Sequence, residues 1–406
     1  MSRRTILRVV APASAVVLAL ATARCGLLGA PGGYSEGNGE LGDAATEGAG
    51  GDGSGKPDGV VLPDGNVVPG TTGTIALLAG ERDPTSPEDD PAWSADAWSG
   101  ILDANGRVAT WRIEKSAPLV GSFDSAGLVG NKWLMINIGF GLSGNRGTAL
   151  QQTSWAPGIA GDWRAANANN APGGLAESTR AFFGAHLAYV GGTRTVAVDG
   201  GTNTFFTNEV HVSDVDAAAN TLGPSADTGV QLVRARSRAS VAFGATNVYV
   251  VGGRGQAGLL ASVEMAKFDV GAGKVQAFAE QPSLKEAGAD HKVSLPNVVV
   301  EGGYLWIAGG RINVAGAPTD VVLSSKIDPA TGALGDFQSV TKLPKALHDL
   351  AFVGFKGRLY VAGGAGTSKR SDEVYSATIG ANGSLGPWET DAKLPGARSD
   401  FVALAY

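Results

Sequence analysis

Charged side chains recur at two places relative to short glycine doublets that repeat along the sequence. Alignment on the doublets places one group at the predicted start of a strand and another directly after the doublet: Asp124, Arg180, Arg238, Asp290, Asp349 and Asp400, then Arg254 and Arg311. Guanidinium groups on neighbouring repeats bind carboxylates or phosphates through forked hydrogen bonds, and converging carboxylates hold cations or transfer protons. These residues therefore form the candidate ligand-binding set.

The same charges have a second interpretation, in which they neutralise one another. Arg180 and Arg238 would then pair with Asp124 and Asp290 across a narrow channel, and the set would be structural. The aspartates come from different repeats and no short ligand loop joins them, so the pattern is unlike a calcium site. The sequence leaves a ligand site and internal pairing open, and it predicts no metal site.

Other motifs lack the structural context that their chemistry needs. Gly253, Gly255 and Gly258 match the dinucleotide-binding fingerprint, but they lie between two predicted strands, with no helix to receive a pyrophosphate. Asp214 and Asp216 begin like a calcium loop, but alanines follow where further oxygen ligands are needed. The G-x-S-x-G pattern occurs at Gly33–Gly37, in the Gly-rich segment before residue 71, with no predicted strand and helix to form a nucleophile elbow. We therefore predict a protein that is not an enzyme and uses no cofactor.

A repeat supplies the elements that position the charged residues. An apolar run ending in two glycines occurs as AYVGG, YVVGG, LWIAGG and LYVAGG, and two degenerate copies end at Gly80 and Gly139. Successive copies are 59, 52, 61, 57 and 54 residues apart, a period typical of solenoids and propellers. In a second signature a glycine precedes an aromatic residue by five positions, as in Gly332 and Phe337. This spacing predicts a turn followed by a half-buried strand.

Each repeat is predicted to form four short strands, which in the last repeat span 347–354, 357–363, 371–378 and 385–390. The doublets after apolar strands resemble the kelch family and the central domain of galactose oxidase over residues 71–406. The resemblance implies an all-β fold, a six-bladed β-propeller of four-stranded blades. We expect the strand within 398–406 to pair beside 74–78 and close the ring. An open solenoid is the alternative.

The resemblance also implies where a ligand would bind. In kelch proteins, arginines at the two aligned places line the face that binds acidic peptides. The candidate set would then lie at the mouth of the central channel, on loops that rigid blades position.

The first 25 residues have the pattern of a bacterial export signal, with Arg3 and Arg4 before a short apolar segment. The arginine pair fits either a twin-arginine signal or an ordinary secretory signal. Cys25 lies where a lipoprotein carries its lipid, and cleavage after Ala23 is the competing outcome. Residues 26–70, rich in Gly, Asp, Glu and Pro, predict a flexible linker. We expect a protein of the cell envelope, lipid-anchored rather than freely secreted.

Composition limits the partners and the chemistry. A net charge of −6 supplies no basic face for nucleic acid, and the single cysteine excludes an intrachain disulfide or a thiolate zinc site. Copper radical oxidases of this fold need a cross-linked cysteine within the propeller, where this chain has none. We predict an exported module that binds a protein, peptide or glycan. An epimerase acting on acidic sugars and a structural component of an envelope complex are the alternatives.

Overall fold

Antiparallel strands account for the regular structure of this chain in the computed structural model. The model describes residues 59–61, 67–69, 73–78, 80–82, 92–94, 96–116, 122–129, 132–140, 146–156, 159–160, 164–166, 172–173, 175–198, 201–219, 221–400 and 402–405. Side chains are described throughout these ranges except at 59–69, 78, 92–93, 122–166, 197–198 and 201–202. No helix occurs within these ranges, and hence none that could span a membrane. The predicted all-β class is confirmed.

Six larger sheets of described strands follow one another along the chain, and sheet 1 contains strands from both ends of the repeat region. Sheet 1 contains Val402–Ala405, Thr74–Leu78, Ala97–Leu102 and Val108–Glu114. Sheet 2 contains Ser122–Val129, Lys132–Phe140, Arg146–Ala156, Ile159–Ala160 and Arg164–Ala166. Sheet 3 contains Leu175–Ala176, Thr179–Phe183, His186–Val198, Gly201–Asp216, Thr221–Leu222 and Ala226–Gln231.

Sheets 4 to 6 repeat the same antiparallel order. Sheet 4 contains Ser240–Phe243, Asn247–Val251, Val263–Asp269, Lys274–Val275 and Ala279–Gln281. Sheet 5 contains Asn297–Glu301, Tyr304–Ala308, Val322–Lys326 and Gln338–Ser339. Sheet 6 contains Ala351–Phe355, Arg358–Ala362, Val374–Thr378 and Glu389–Thr390.

Two-stranded pairings complete the described strands. They join Gly59–Val61 to Val67–Pro69, Glu81–Arg82 to Ala92–Trp93, Arg254–Gly255 to Gly258–Leu259 and Lys285–Glu286 to Ala289–Asp290. The first of these lies inside the segment predicted as a flexible linker, where β-branched valines flank a Pro-Asp-Gly sequence. Residues 1–58, which include the predicted signal and Cys25, lie outside the described residues.

The C-terminal strand completes the N-terminal sheet. It pairs with Thr74–Leu78 in a register that runs from Ile75 opposite Ala405 to Leu78 opposite Val402. The sequence predicts these two segments as neighbours, and the pairing confirms it. The first strands of the six sheets also lie side by side, in the spatial order 402–405, 122–129, 179–183, 240–243, 297–301, 351–355 and again 402–405. Each first strand therefore contacts two others.

Apolar clusters fill the space between adjacent sheets. One cluster joins sheets 3 and 4 through Phe183, Phe243 and Phe268, whose ring centroids lie 5.0–5.5 Å apart. Comparable clusters join sheet 4 to sheet 5, sheet 5 to sheet 6 and sheet 6 to sheet 1. Sheet 1 and sheets 3 to 6 thus bury apolar side chains at these four junctions, which fixes the strand ends that carry their charged residues.

The glycine doublets of one sheet lie against the segment that precedes the first strand of the next sheet. Gly252 has a φ of +61°, and a Cβ there would approach the Val293 carbonyl oxygen to 2.5 Å. The next amide, Gly253 N–H, donates to the same oxygen at 2.8 Å. Gly309 repeats the arrangement against the Leu347 carbonyl at 2.5 Å. The prediction that a Cβ would clash with a neighbouring unit at the doublets is therefore confirmed.

The second signature also joins neighbouring sheets. Gly106, Gly273, Gly332 and Gly383 all have positive φ, as the predicted turns require. Tyr249 Oη of sheet 4 donates to the Gly332 carbonyl of sheet 5 at 2.7 Å, and Tyr360 Oη of sheet 6 donates to the Gly106 carbonyl of sheet 1 at 2.5 Å. The corresponding turns at Gly158 and Asn220 lie outside the described residues.

Candidate ligand-binding face

Residues in the left-handed backbone region mark one end of the sheets. Among the described residues, five that are not glycine have φ between 49° and 55° and lie two positions before a first strand: Glu177, Arg238, Leu295, Asp349 and Asp400. A left-handed conformation costs such a residue about 1–2 kcal/mol, so it persists only where other contacts require it.

Backbone hydrogen bonds between these residues supply that requirement. The Arg238 amide donates to the Glu177 carbonyl at 3.2 Å, and the Leu295 amide donates to the Arg238 carbonyl at 2.8 Å. The Asp400 amide donates to the Asp349 carbonyl at 2.8 Å. Each bond joins one sheet to the next, so these residues lie together at one end of the sheets. We call this end, with the residues that follow the doublets, the doublet face.

Arg180 lies outside this set, contrary to the alignment in the sequence. It is the second residue of Thr179–Phe183, only 4% exposed, and its guanidinium lies 5.5 Å from the Tyr189 ring centroid. Glu177 takes the equivalent place. It precedes Gly191 by fourteen residues, the offset that separates Arg238 from Gly252. A constant offset from the doublet would have identified it.

Asp290 is misplaced in the same way. It ends the small hairpin formed by Lys285–Glu286 and Ala289–Asp290, where it is exposed. The equivalent position holds Leu295, which precedes Gly309 by fourteen residues. The hairpin lengthens the linker before this strand, so Asp290 lies seven residues before Asn297 rather than two. The doublet face therefore carries an apolar side chain at this position.

Asp124 lies within the strand Ser122–Val129, at a register irregularity between Phe123 and Ser125. Its side chain is outside the described part of the structure. Asp349 and Asp400 occupy the predicted place before their first strands.

Two of the arginines on the doublet face are paired with carboxylates. Arg238 Nη2 lies 2.5 Å from Glu177 Oε1, and Ser237 Oγ donates to Glu177 Oε2 at 3.0 Å. Arg311 Nη2 lies 2.5 Å from Asp349 Oδ2. The predicted pairing of Arg238 with Asp124 or Asp290 is replaced by a pair with Glu177. Internal neutralisation therefore describes these two arginines.

His348 adds a titratable group that the sequence analysis missed. Its Nδ1 lies 2.9 Å from Asp349 Oδ2, and the two side chains are 13% and 8% exposed. Because the carboxylate accepts, Nδ1–H donates to it, and in the neutral ring Nε2 then carries the lone pair. The same carboxylate oxygen also accepts from Arg311. Asp349 thus fixes both the histidine ring and the guanidinium.

Arg254 differs from the other two arginines. Its backbone is held by paired hydrogen bonds, at 2.8 and 2.9 Å, with Ser237, the residue before Arg238. The side chain is half-buried, and within the described part of the chain its guanidinium makes no hydrogen bond or ion pair. Arg254 is therefore a positive charge on this face that no described carboxylate neutralises.

Sheet 1 carries an acidic residue at the place that an arginine occupies in sheets 4 and 5. Glu81 follows the degenerate doublet copy at Gly80 and is bonded to Ser399 through the backbone at 2.8 and 3.0 Å. Its carboxylate lies 2.6 Å from Arg370 Nη2, and Arg370 Nε donates to Ser399 Oγ at 2.9 Å. Within the described residues, no group of three or more His, Cys, Asp and Glu side chains is arranged to hold a metal ion. Glu81, like Arg238 and Arg311, is thus neutralised by a neighbouring side chain.

Comparisons with known proteins support the fold level alone. No family model matches the chain, and no curated protein matches it. A solved structure, described as the structure of YjhT, is similar over 71% of this chain and 88% of its own, with 18% sequence identity and a TM-score of 0.51. At this identity the likeness shows that the two chains share a β-rich fold.

Proposed function

We propose that the six sheets are the blades of a closed, kelch-like β-propeller that binds an acidic ligand at its doublet face. The cyclic order of the first strands supports closure, as does the pairing of Val402–Ala405 with Thr74–Leu78. Contacts between sheet 6 and sheet 1 add to it. Arg107 Nε lies 2.9 Å from Asp391 Oδ1, and Trp111 Nε1 donates to the Ala392 carbonyl at 2.8 Å.

The observation that carries the ligand proposal is the Arg254 guanidinium. Its neighbours Arg238 and Arg311 are neutralised by Glu177 and Asp349, so a further anion gains most beside Arg254. A carboxylate can accept two parallel hydrogen bonds from a guanidinium, which gives orientation as well as affinity. The ligand is therefore a protein, peptide or glycan that carries a carboxylate group.

The site of action follows from the N-terminal sequence. Residues 1–25 resemble an export signal, and Cys25 is placed for a lipid that would hold the protein in the cell envelope. The ligand would then be met outside the cytoplasm, with membrane contact only through that lipid.

Acidic peptides and acidic glycans on an array test this function, with the purified protein and two variants. Arg254→Gln removes the uncompensated charge, and Arg234→Gln is the matched control because Arg234 is exposed and paired with Glu280 at 2.7 Å. We expect a carboxylate-bearing ligand to bind the protein and the control equally, and about tenfold or more weaker binding to Arg254→Gln. Equal binding to all three proteins would place the site elsewhere. An absence of any binding would favour a structural component of an envelope complex.

The His348–Asp349 contact favours a second function, an enzyme that transfers protons on acidic sugars. A histidine whose Nδ1 is held by a carboxylate presents Nε2 as a base, and Arg311 lies beside the same carboxylate. Anomer or epimer exchange of acidic sugars, followed by NMR, distinguishes the two functions. Exchange that His348→Gln abolishes would support the enzyme, and binding without exchange would support the binding module.

A further inference from the structure

A cleft of about 530 Å³ lies at the junction of sheets 4 and 5. One wall is the hairpin of residues 285–290, and the other is the outer strand of sheet 5 with the turn before it. The lining residues are Pro282, Ser283, Lys285, Ala287, Gly288, Asp336, Phe337, Gln338 and Ser339. None of them belongs to the doublet face, and a cavity of this size accommodates a small molecule.

Buried contacts hold the hairpin wall in place. Leu284 is fully buried at the base of the hairpin, and Ala287 and Gly288 close its turn with φ of 49° and 85°. Glu286 is fixed by Lys342, whose Nζ lies 2.8 Å from Oε1, and by His291, whose Nδ1 lies 3.5 Å from Oε2. The wall is therefore preformed rather than assembled by a ligand.

The opposite wall is anchored in the core. Phe337 is only 6% exposed and belongs to the apolar cluster between sheets 4 and 5. The next residue, Gln338, pairs with Ser324 of the neighbouring strand. Asp336 and Gln338 on either side of Phe337 are exposed and line the cleft.

The charges in the cleft are opposite and separated. Lys285 lies on the hairpin wall and Asp336 on the wall formed by sheet 5. Neither side chain forms an ion pair or hydrogen bond with the other, or with any other residue that the structure describes. Such an arrangement leaves an ammonium donor and a carboxylate acceptor for one bound molecule. The Gln338 amide and the Ser283 and Ser339 hydroxyls also line the cleft and can each donate or accept a hydrogen bond.

We infer that this cleft binds a small zwitterion, between an amino acid and a tripeptide in size. The ligand carboxylate accepts hydrogen bonds from Lys285, and its ammonium donates to Asp336. The Gln338 amide bonds to the peptide groups. The site is separate from the acidic-ligand site of the doublet face, and it requires both charges on the ligand.

Titration of the full-length protein with triglycine, followed by calorimetry and NMR, tests the inference. We expect saturable binding with a Kd of about 1 mM or lower. N-acetyltriglycine and triglycine amide, which each lack one charge, should bind about tenfold or more weakly. Lys285→Met and Asp336→Asn should each weaken triglycine binding to a similar extent. Lys267→Met, at an exposed position of sheet 4, is the matched control and should bind normally.

Several results would overturn the inference. One is an absence of saturable triglycine binding to a protein whose NMR spectrum shows it folded. Another is undiminished binding to both cleft variants, and a third is equal affinity for an uncharged trisaccharide, which would make the cleft a sugar site. Arg254→Gln separates this inference from the proposed function. Triglycine should bind that variant normally, and loss of binding would move the ligand to the doublet face.

Discussion

Glu209 shows how one carboxylate secures the long hairpin of sheet 3. The hairpin consists of His186–Val198 and Gly201–Asp216 and extends well past the doublet. Arg194 Nη2 lies 2.5 Å from Glu209 Oε2, and His211 Nε2 lies 2.8 Å from the same oxygen. These hydrogen bonds, that from Arg194 above all, lower the pKa of Glu209 from its ordinary value near 4.5 to about 2.

The lowered pKa predicts how acid acts on this hairpin. A carboxyl group with a depressed folded-state pKa stabilises the protein above its unfolded pKa and loses that contribution as the pH falls through the folded pKa. The stabilisation from Glu209 should be complete above pH 4.5 and decline toward pH 2. Urea unfolding of the protein and of Glu209→Gln at a series of pH values measures it. The difference in unfolding free energy should shrink over this window, and a constant difference would contradict the assignment.

For single residues, the sequence predicts the position of an arginine in the fold better than it predicts which carboxylate pairs with it. Arg254 and Arg311 follow their doublets as predicted, because a doublet fixes the backbone of the next residue. The partner of Arg238 is Glu177, which the sequence analysis did not select. Which carboxylate an arginine meets depends on the approach of two sheets, and no local pattern encodes that approach.

The elements meet through the glycine doublets, and Gly309 permits a direct test. A Cβ at Gly309 would lie 2.5 Å from the Leu347 carbonyl oxygen and 2.9 Å from Leu350 Cδ2. Gly303 in the same sheet also has positive φ, at +80°, but nothing lies within 4 Å of a Cβ there. Gly303→Ala therefore isolates the cost of the left-handed backbone, about 1–2 kcal/mol.

Gly309→Ala should cost more than Gly303→Ala by about 1–3 kcal/mol, because it adds a steric clash between two sheets. Denaturant unfolding of both variants measures the difference. Equal destabilisation would mean that Gly309 is required only for the local backbone conformation and not for the close approach to the Leu347 carbonyl.

Element positions were predictable where apolar alternation is strong. In the last repeat the predicted strands 357–363 and 371–378 match Arg358–Ala362 and Val374–Thr378 closely. The outer strand is predicted as 385–390 but spans only Glu389–Thr390. An edge strand has a neighbour on one side alone, so it ends where pairing with that neighbour stops. The sequence analysis did not predict the long hairpin of sheet 3. Threonine and valine continue after the doublet, and no change in composition marks how far the two strands extend.

At the scale of the whole molecule, the C-terminal strand carries the proposed closure. Removal of residues 398–406 deletes the strand Val402–Ala405 and also Arg398, whose guanidinium carbon lies 5.0 Å from the Trp98 ring and which is paired with Asp96. We expect the truncated protein to lose cooperative unfolding, because sheet 1 loses its first strand and the bonds to sheet 6. Urea unfolding followed by tryptophan fluorescence measures this, and a transition like that of the intact protein would argue for an open arrangement.

The closure itself is tested most directly by hydrogen exchange of the intact protein, measured on peptides that cover 399–406 and 349–356. If the last strand is part of a closed ring, the amides of Val402–Ala405 that bond to Thr74–Leu78 should exchange about as slowly as those of Ala351–Phe355 in sheet 6. Exchange of the last strand at the rate of an unstructured peptide, beside a protected sheet 6, would contradict the ring and the position of the face built on it.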